Sequence, residues 1–235
     1  MRRLSLLPLL AIALMGAGCN KANQPTNQPA STNPQTPGTI DRVQTVTTEA
    51  YEYIEPETSY AKQALLNLTS ANSFHSRMVI PGLQEDVIAD LVFVKDQGMR
   101  GTLTIPGDQG TTISEIYLTQ KEVLFKQGSK AWENISGTQE ATELTASLNG
   151  SFSFGEEDDF ILNGSEQFMG KSSGAGCTIY RFRQVTADGR LQPFSVCITP
   201  QDLPTYVEID TKTPRPIRID YSDVNGVGSI QRPQI

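Results

Sequence analysis

The sequence holds one histidine, one tryptophan and three cysteines in 235 residues, and its 19 lysines and arginines are outnumbered by 26 aspartates and glutamates. A single histidine excludes most histidine-based metal centres. A net charge of −7 with no basic cluster argues against a nucleic-acid binder, because neutralising phosphates takes grouped Lys and Arg. GxSxG, HExxH, P-loop and GxGxxG motifs are all missing, so the expectation is a protein without catalysis, cofactor or metal. The apolar runs fall short of the roughly 20 residues that a membrane-spanning helix needs. Three cysteines cannot all pair with one another, so at least one needs an explanation of its own.

The amino terminus supplies that explanation. Arg2 and Arg3 precede an apolar run from Leu4 to Met15, broken only by Ser5 and Pro8, and then come Gly16, Ala17, Gly18 and Cys19. Residues 1–18 read as a secretion signal. The cysteine after small residues resembles the lipobox of bacterial lipoproteins, with Gly16 where that motif usually carries leucine. The resemblance implies that Cys19 becomes the acylated first residue, carrying diacylglycerol and a palmitate-type chain. Two or more such chains, at roughly 0.8 kcal/mol per buried methylene, hold a protein stably on a membrane. The alternative is ordinary cleavage nearby and a free Cys19. The paired arginines lack the flanking pattern of a twin-arginine signal.

Residues 20–39, NKANQPTNQPASTNPQTPGT, contain one charge, four prolines and no apolar residue larger than alanine. Such a segment cannot bury enough surface to fold. As a semi-extended tether its twenty residues reach roughly 60 Å at about 3.1 Å each; the alternative is a tail with no spacing role. Residues 19–49 are assigned to this anchor and tether, and 50–235 to one folded domain. Its acidity disfavours close contact with anionic headgroups.

That domain reads as α+β. A helix capped by Thr58 or Ser59 runs to about Thr69, with Ala61, Ala64, Leu65 and Leu68 on one face. Short runs with turn residues between them then predict strands at Phe74–Ile80, Val87–Lys95, Met99–Ile105, Thr112–Thr119, Glu122–Lys126 and Lys130–Ile135. Asp96-Gln97-Gly98 and Gln127-Gly128-Ser129 look like hairpin turns. Helices are expected at Thr138–Leu148 and Asp158–Leu162, and strands again at Thr178–Gln184, Leu191–Thr199, Thr205–Asp210, Pro216–Ser222 and Gly228–Gln231. Ile217, Ile219 and Tyr221 alternate with Arg218 and Asp220, while Leu91-Val92-Phe93-Val94 is apolar on both faces. The pattern fits a curved antiparallel sheet of about eleven strands, its apolar side covered by two or three helices.

Cys177 and Cys197 lie symmetrically about position 187, inside the turn-like Thr186-Ala187-Asp188-Gly189. Strands folded there place the thiols near one another, and an exported chain can oxidise them. Two buried free thiols are the alternative. His75 has no recognisable Ser or Cys partner pattern. The acidic run Glu156, Glu157, Asp158 and Asp159 lacks the alternating ligands and central glycine of a calcium loop, so it reads as a solvated stretch leading into a helix. Trp132, Phe125 and Tyr117 are candidate pocket aromatics or ordinary packing. Asn-x-Ser/Thr sites at Asn67, Asn134, Asn149 and Asn163 carry no weight beside a lipobox.

Several segments resemble the LolA/LolB-type domain, and especially the LppX/LprG lipoproteins. These are LVFVKDQGMRGTLTIPG from Leu91, IYLTQKEVLFKQGSKAWENIS from Ile116, FILNGSEQFMGKSSGAGCTIYRF from Phe160 and VEIDTKTPRPIRIDYS from Val207. The resemblance implies a half-open β-barrel closed by helices around a cavity for the acyl chains of a lipid or lipidated partner. Leu91, Phe93, Leu103, Ile105, Ile116 and Leu118 are the candidate cavity residues. The expected location is a cell or outer membrane, on the extracytoplasmic side, held by a lipid anchor. A second reading keeps the fold but fills its core, leaving an outer surface to dock an envelope protein.

Overall fold

The computed structural model describes residues 56–82, 84–107, 110–152, 166–185, 189–211 and 215–235. The signal, Cys19, the tether and the expected domain start at Ala50 lie outside these residues. So do the acidic run at 156–159, the helix expected over 158–162 and the turn residues 186–188.

Helix α1 spans Pro56–Thr69 and begins two residues before the expected cap. Proline suits a first helical position, since its missing N–H would have no intrahelical partner, and Glu57 faces the positive end of the helix dipole. Ala61, Ala64, Leu65 and Leu68 form the buried stripe that their spacing predicts. A meander follows: β1 Ser73–Ile80, β2 Val87–Val94, β3 Gly98–Ile105, β4 Thr112–Leu118, β5 Val123–Gln127 and β6 Glu133–Asn134. Helix α2, Gln139–Phe152, starts behind Thr138, whose Oγ1 accepts the Ala141 N–H at 3.1 Å. Its Ala141, Leu144 and Leu148 enter the core. The second meander is β7 Gln167–Ser173, β8 Thr178–Val185, β9 Leu191–Ile198, β10 Pro204–Ile209 and β11 Ile217–Ser222.

All eleven strands form one open antiparallel sheet in the order β6-β5-β4-β3-β2-β1-β11-β10-β9-β8-β7. The first and last strands meet in its middle, Ser76 opposite Tyr221 and Met78 opposite Ile219. β6 and β7 are the edges. The β2–β3 turn falls where Asp96-Gln97-Gly98 predicts it, with Asp96 at φ 63° and Gly98 at φ 110°. A Cβ on Gly98 would lie 2.0 Å from the Leu118 carbonyl oxygen, so no larger residue fits.

Three expectations need correction. Residues 228–231 form no strand. Tail backbone N–H groups go instead to side chains, Val227 to Ser73 Oγ at 3.0 Å and Ile230 to Gln97 Oε1 at 3.0 Å, while Arg100 Nη1 donates to the Gln231 carbonyl at 2.8 Å. The tail is a strap over the outer face, with Pro233 buried. β7 is a strand that the sequence reading left out, because QFMGKSS carries few apolar residues and its register slips between Phe168 and Gly170. The strand expected over Lys130–Ile135 shrinks to the two residues of β6.

The strap also accounts for apolar residues on the outer side. Tyr117, partnered by Arg100 and Leu124 across the ladders, is buried, as is Leu124. Arg100 is the residue that holds Gln231, so the strap passes over this row. Val94, on the same side as Val92, is buried as well.

Candidate functional site

Residues paired directly across antiparallel strands share a face of the sheet. Leu91 pairs with Gly101, Gly101 with Ile116, and Ile116 with Phe125; Phe93 pairs with Met99, and Met99 with Leu118. Leu103 pairs with Ala89, and Ile105 with Thr112. All six candidate cavity residues therefore stand on the inner face, the side on which α1 and α2 pack. Phe93 is half-buried against the core, and the other five are buried. They belong to the covered core or pack against it.

This inner face carries no charged side chain in any paired strand position from β1 to β5 or from β8 to β11. Aromatics are grouped on it. Phe182 stacks with Phe194 at 5.2 Å between ring centroids, Phe168 approaches Phe182 at 5.7 Å, and Phe74 stacks with Phe93 at 5.0 Å. At the end of the sheet where β1 leaves, Ile209 pairs with Ile217, Val79 with Arg218, and Ile80 with Val87. That register sets Ile80 beside Ile217, and the row Ile209, Ile217, Ile80, Val87 is only half-buried. It forms an apolar rim to the inner face.

Arg218 and Lys126 make charged pairs on the outer face, whereas Lys171 of β7, opposite Tyr180 on the inner side, lies 3.9 Å from Glu57 of α1. Arg218 donates to Glu208 Oε1 at 2.7 Å and to Asp220 Oδ1 at 2.8 Å, and its guanidinium lies 4.0 Å over the Tyr206 ring. The hydrogen bond to Asp220 holds the Arg218 pKa above its ordinary value, and burial raises that of Tyr206. Lys126 pairs with Glu115 at 2.6 Å. A groove of about 460 Å³ is lined by Arg181, Arg183, Ser195, Glu208, Asp210 and Arg215 among others, and touches none of the six candidates.

His75 acquires partners that the sequence did not disclose. Its Nε2 is 2.7 Å from Asp90 Oδ1 and its Nδ1 3.2 Å from Ser222 Oγ. Serine, histidine and carboxylate in line have the composition of a hydrolytic triad. Here they sit on the outer face of the paired strands β2, β1 and β11.

The aromatic trio does not assemble. Phe125 faces inward beside Ile116, whereas Tyr117 faces outward beside Leu124. Trp132 precedes β6 and is half-buried.

Cys177 and Cys197 are disulfide-bonded, with Cα atoms 5.6 Å apart. The bridge is diagonal: Cys197 stands opposite Ile179, two residues beyond Cys177.

LprF from Mycobacterium bovis superimposes with a TM-score of 0.49 at 13% identity, over 75% of this chain and 96% of that one. A DUF1329 family protein from Desulfovibrio piger gives a TM-score of 0.28 at 11% identity, over 74% and 95%. No family model and no curated protein matches the sequence.

One inner-face residue escaped the sequence reading. Ser76 alternates with His75 and Arg77 in the same way as Phe74 and Met78 do, which was the available signal for a polar group facing inward. Burial also pushes the pKa of Tyr221, its β11 partner, far upward.

Proposed function

We propose that the domain binds the acyl chains of a lipid or lipidated partner between the inner face of its sheet and its helices, without catalysis. The observation that carries this reading is the inner face, without charge at its paired positions from β1 to β5 and from β8 to β11, which runs to a half-buried rim at Ile209, Ile217, Ile80 and Val87. A core needs no such rim, whereas hydrocarbon gains about 25 cal/mol for each Å² it removes from water there. The inner face is closed by α1 and α2, so entry requires a helix to shift. In this proposal Cys19 supplies the lipid anchor on an extracytoplasmic membrane face, and residues 20–49 the reach.

Native mass spectrometry of the full chain tests the reading. Acyl lipid that co-purifies with the protein and exchanges with added lipid is the expected result; a lipid-free protein that takes up none overturns it. Burial of five of the six candidates favours a second reading, a filled core whose outer groove beside Arg181 docks an envelope protein. That reading predicts the lipid-free result.

A further inference from the structure

Ser76 lies near the middle of the inner face, between Leu91 on β2 and Tyr221 on β11, with Phe74 and Met78 two residues to either side. The residue is 1% exposed, and its Oγ has no hydrogen-bond partner among the described residues. A buried hydroxyl left unpaired is destabilising, and alanine would occupy the same position without that cost. Such orphaned groups call for a specific explanation, and a ligand acceptor is one that fits a face already read as a binding surface.

The surroundings narrow the chemistry of that acceptor. The paired inner-face positions around Ser76 provide no cation, so a carboxylate or phosphate placed there would be an unpaired buried charge. A neutral carbonyl oxygen would accept the serine O–H at no such cost. Ser76 also stands four residues from Ile80 at the rim, roughly 13 Å along an extended strand. A headgroup held at the rim would not reach it.

We propose that Ser76 is a specificity-determining contact, donating its hydroxyl hydrogen to the carbonyl of an uncharged ester that has hydrocarbon on both sides. The proposal rests on the acyl-binding reading above.

The test uses the full chain and two competitors of Nile red, octyl decanoate and nonadecane, which match in length and differ by the ester. Octyl decanoate should bind the wild-type chain roughly five-fold more tightly, the scale of one net hydrogen bond. Ser76→Ala should remove that preference and leave nonadecane affinity unchanged, whereas Ser76→Thr should keep it. Equal affinities in the wild type, or an ester preference that survives in Ser76→Ala, overturn the inference while acyl binding stands. Displacement by neither competitor overturns both. If Ser76→Ala also loses nonadecane, the variant has not folded, and the wild-type ratio decides alone.

Discussion

Arg232 grips Glu122 through two hydrogen bonds, Nε to Oε1 at 2.6 Å and Nη2 to Oε2 at 2.9 Å. The pair closes the carboxy-terminal strap onto the turn between β4 and β5, 110 residues away in sequence. The Arg232 hydrogen bonds hold the Glu122 pKa below its ordinary value. A depressed carboxylate stabilises above its unfolded pKa and loses the contribution as pH falls through its folded one, so the clasp opens at acid pH. Arg232 is exposed and Glu122 half-buried, so solvent still screens the pair. Glu122→Gln should therefore speed hydrogen exchange at the Val227 and Ile230 amides while moving the melting temperature by no more than about 2 °C.

The disulfide should matter far more. Cys177 and Cys197 close a loop with a sequence separation of 20, worth about 3 kcal/mol in the chain-entropy description. Urea denaturation with and without reductant should show a loss of that order, and Cys177→Ala should reproduce it. A thiol titration of the denatured, unreduced chain should then detect Cys19 only where that residue is not acylated.

Tyr60 donates to Asp202 Oδ1 at 2.6 Å, and that hydrogen bond raises its pKa to about 12. The protonated phenol is the stabilising form, so its contribution is complete below about pH 10, where an unfolded tyrosine titrates, and disappears as pH rises through about 12. Tyr60→Phe should flatten the fall in stability over that window. It should also remove one late-ionising phenol from the ultraviolet titration.

Gly101 on β3 pairs with Leu91 on β2. A Cβ at this position would lie 2.0 Å from the Asp90 carbonyl oxygen and 2.8 Å from the Leu91 Cα, both backbone atoms of the neighbouring strand. Gly101→Ala should cost about 1–3 kcal/mol or more in chemical denaturation, because a backbone must move rather than a side chain. Gly128→Ala, with nothing near its Cβ, should cost less despite its φ of 57°.

The legible part of the fold was the part written in side-chain period. Alternation in IRIDYS placed β11, and helical spacing of Ala61, Ala64, Leu65 and Leu68 placed α1. Leu91, Phe93, Leu103 and Ile116, named as cavity candidates beside the family resemblance, share one face in the observed register. Where partners are distant or the pattern is polar, the signal fades. β7 is marked by Gly170 and two serines rather than by apolar alternation, and only its pairing with β8 makes it a strand. The tail has the residues of a short strand, but its N–H groups find Ser73 Oγ and Gln97 Oε1, and nothing local foretells partners more than 130 residues away. The same limit hid the contacts of His75 with Ser222 and the unpaired state of Ser76.

The meeting of β1 with β11 also orders the events of biosynthesis. A nascent chain can complete the ribbon from β1 to β6 by local hairpins, and later the ribbon from β7 to β10, but among the described strands the sheet joins the two through Ile217–Ser222. Until that last strand emerges, β1 presents a bare edge bearing Phe74 and Met78, the kind of edge that recruits other chains. Premature stop codons upstream of residue 217 should yield aggregates in the cell rather than shortened soluble protein.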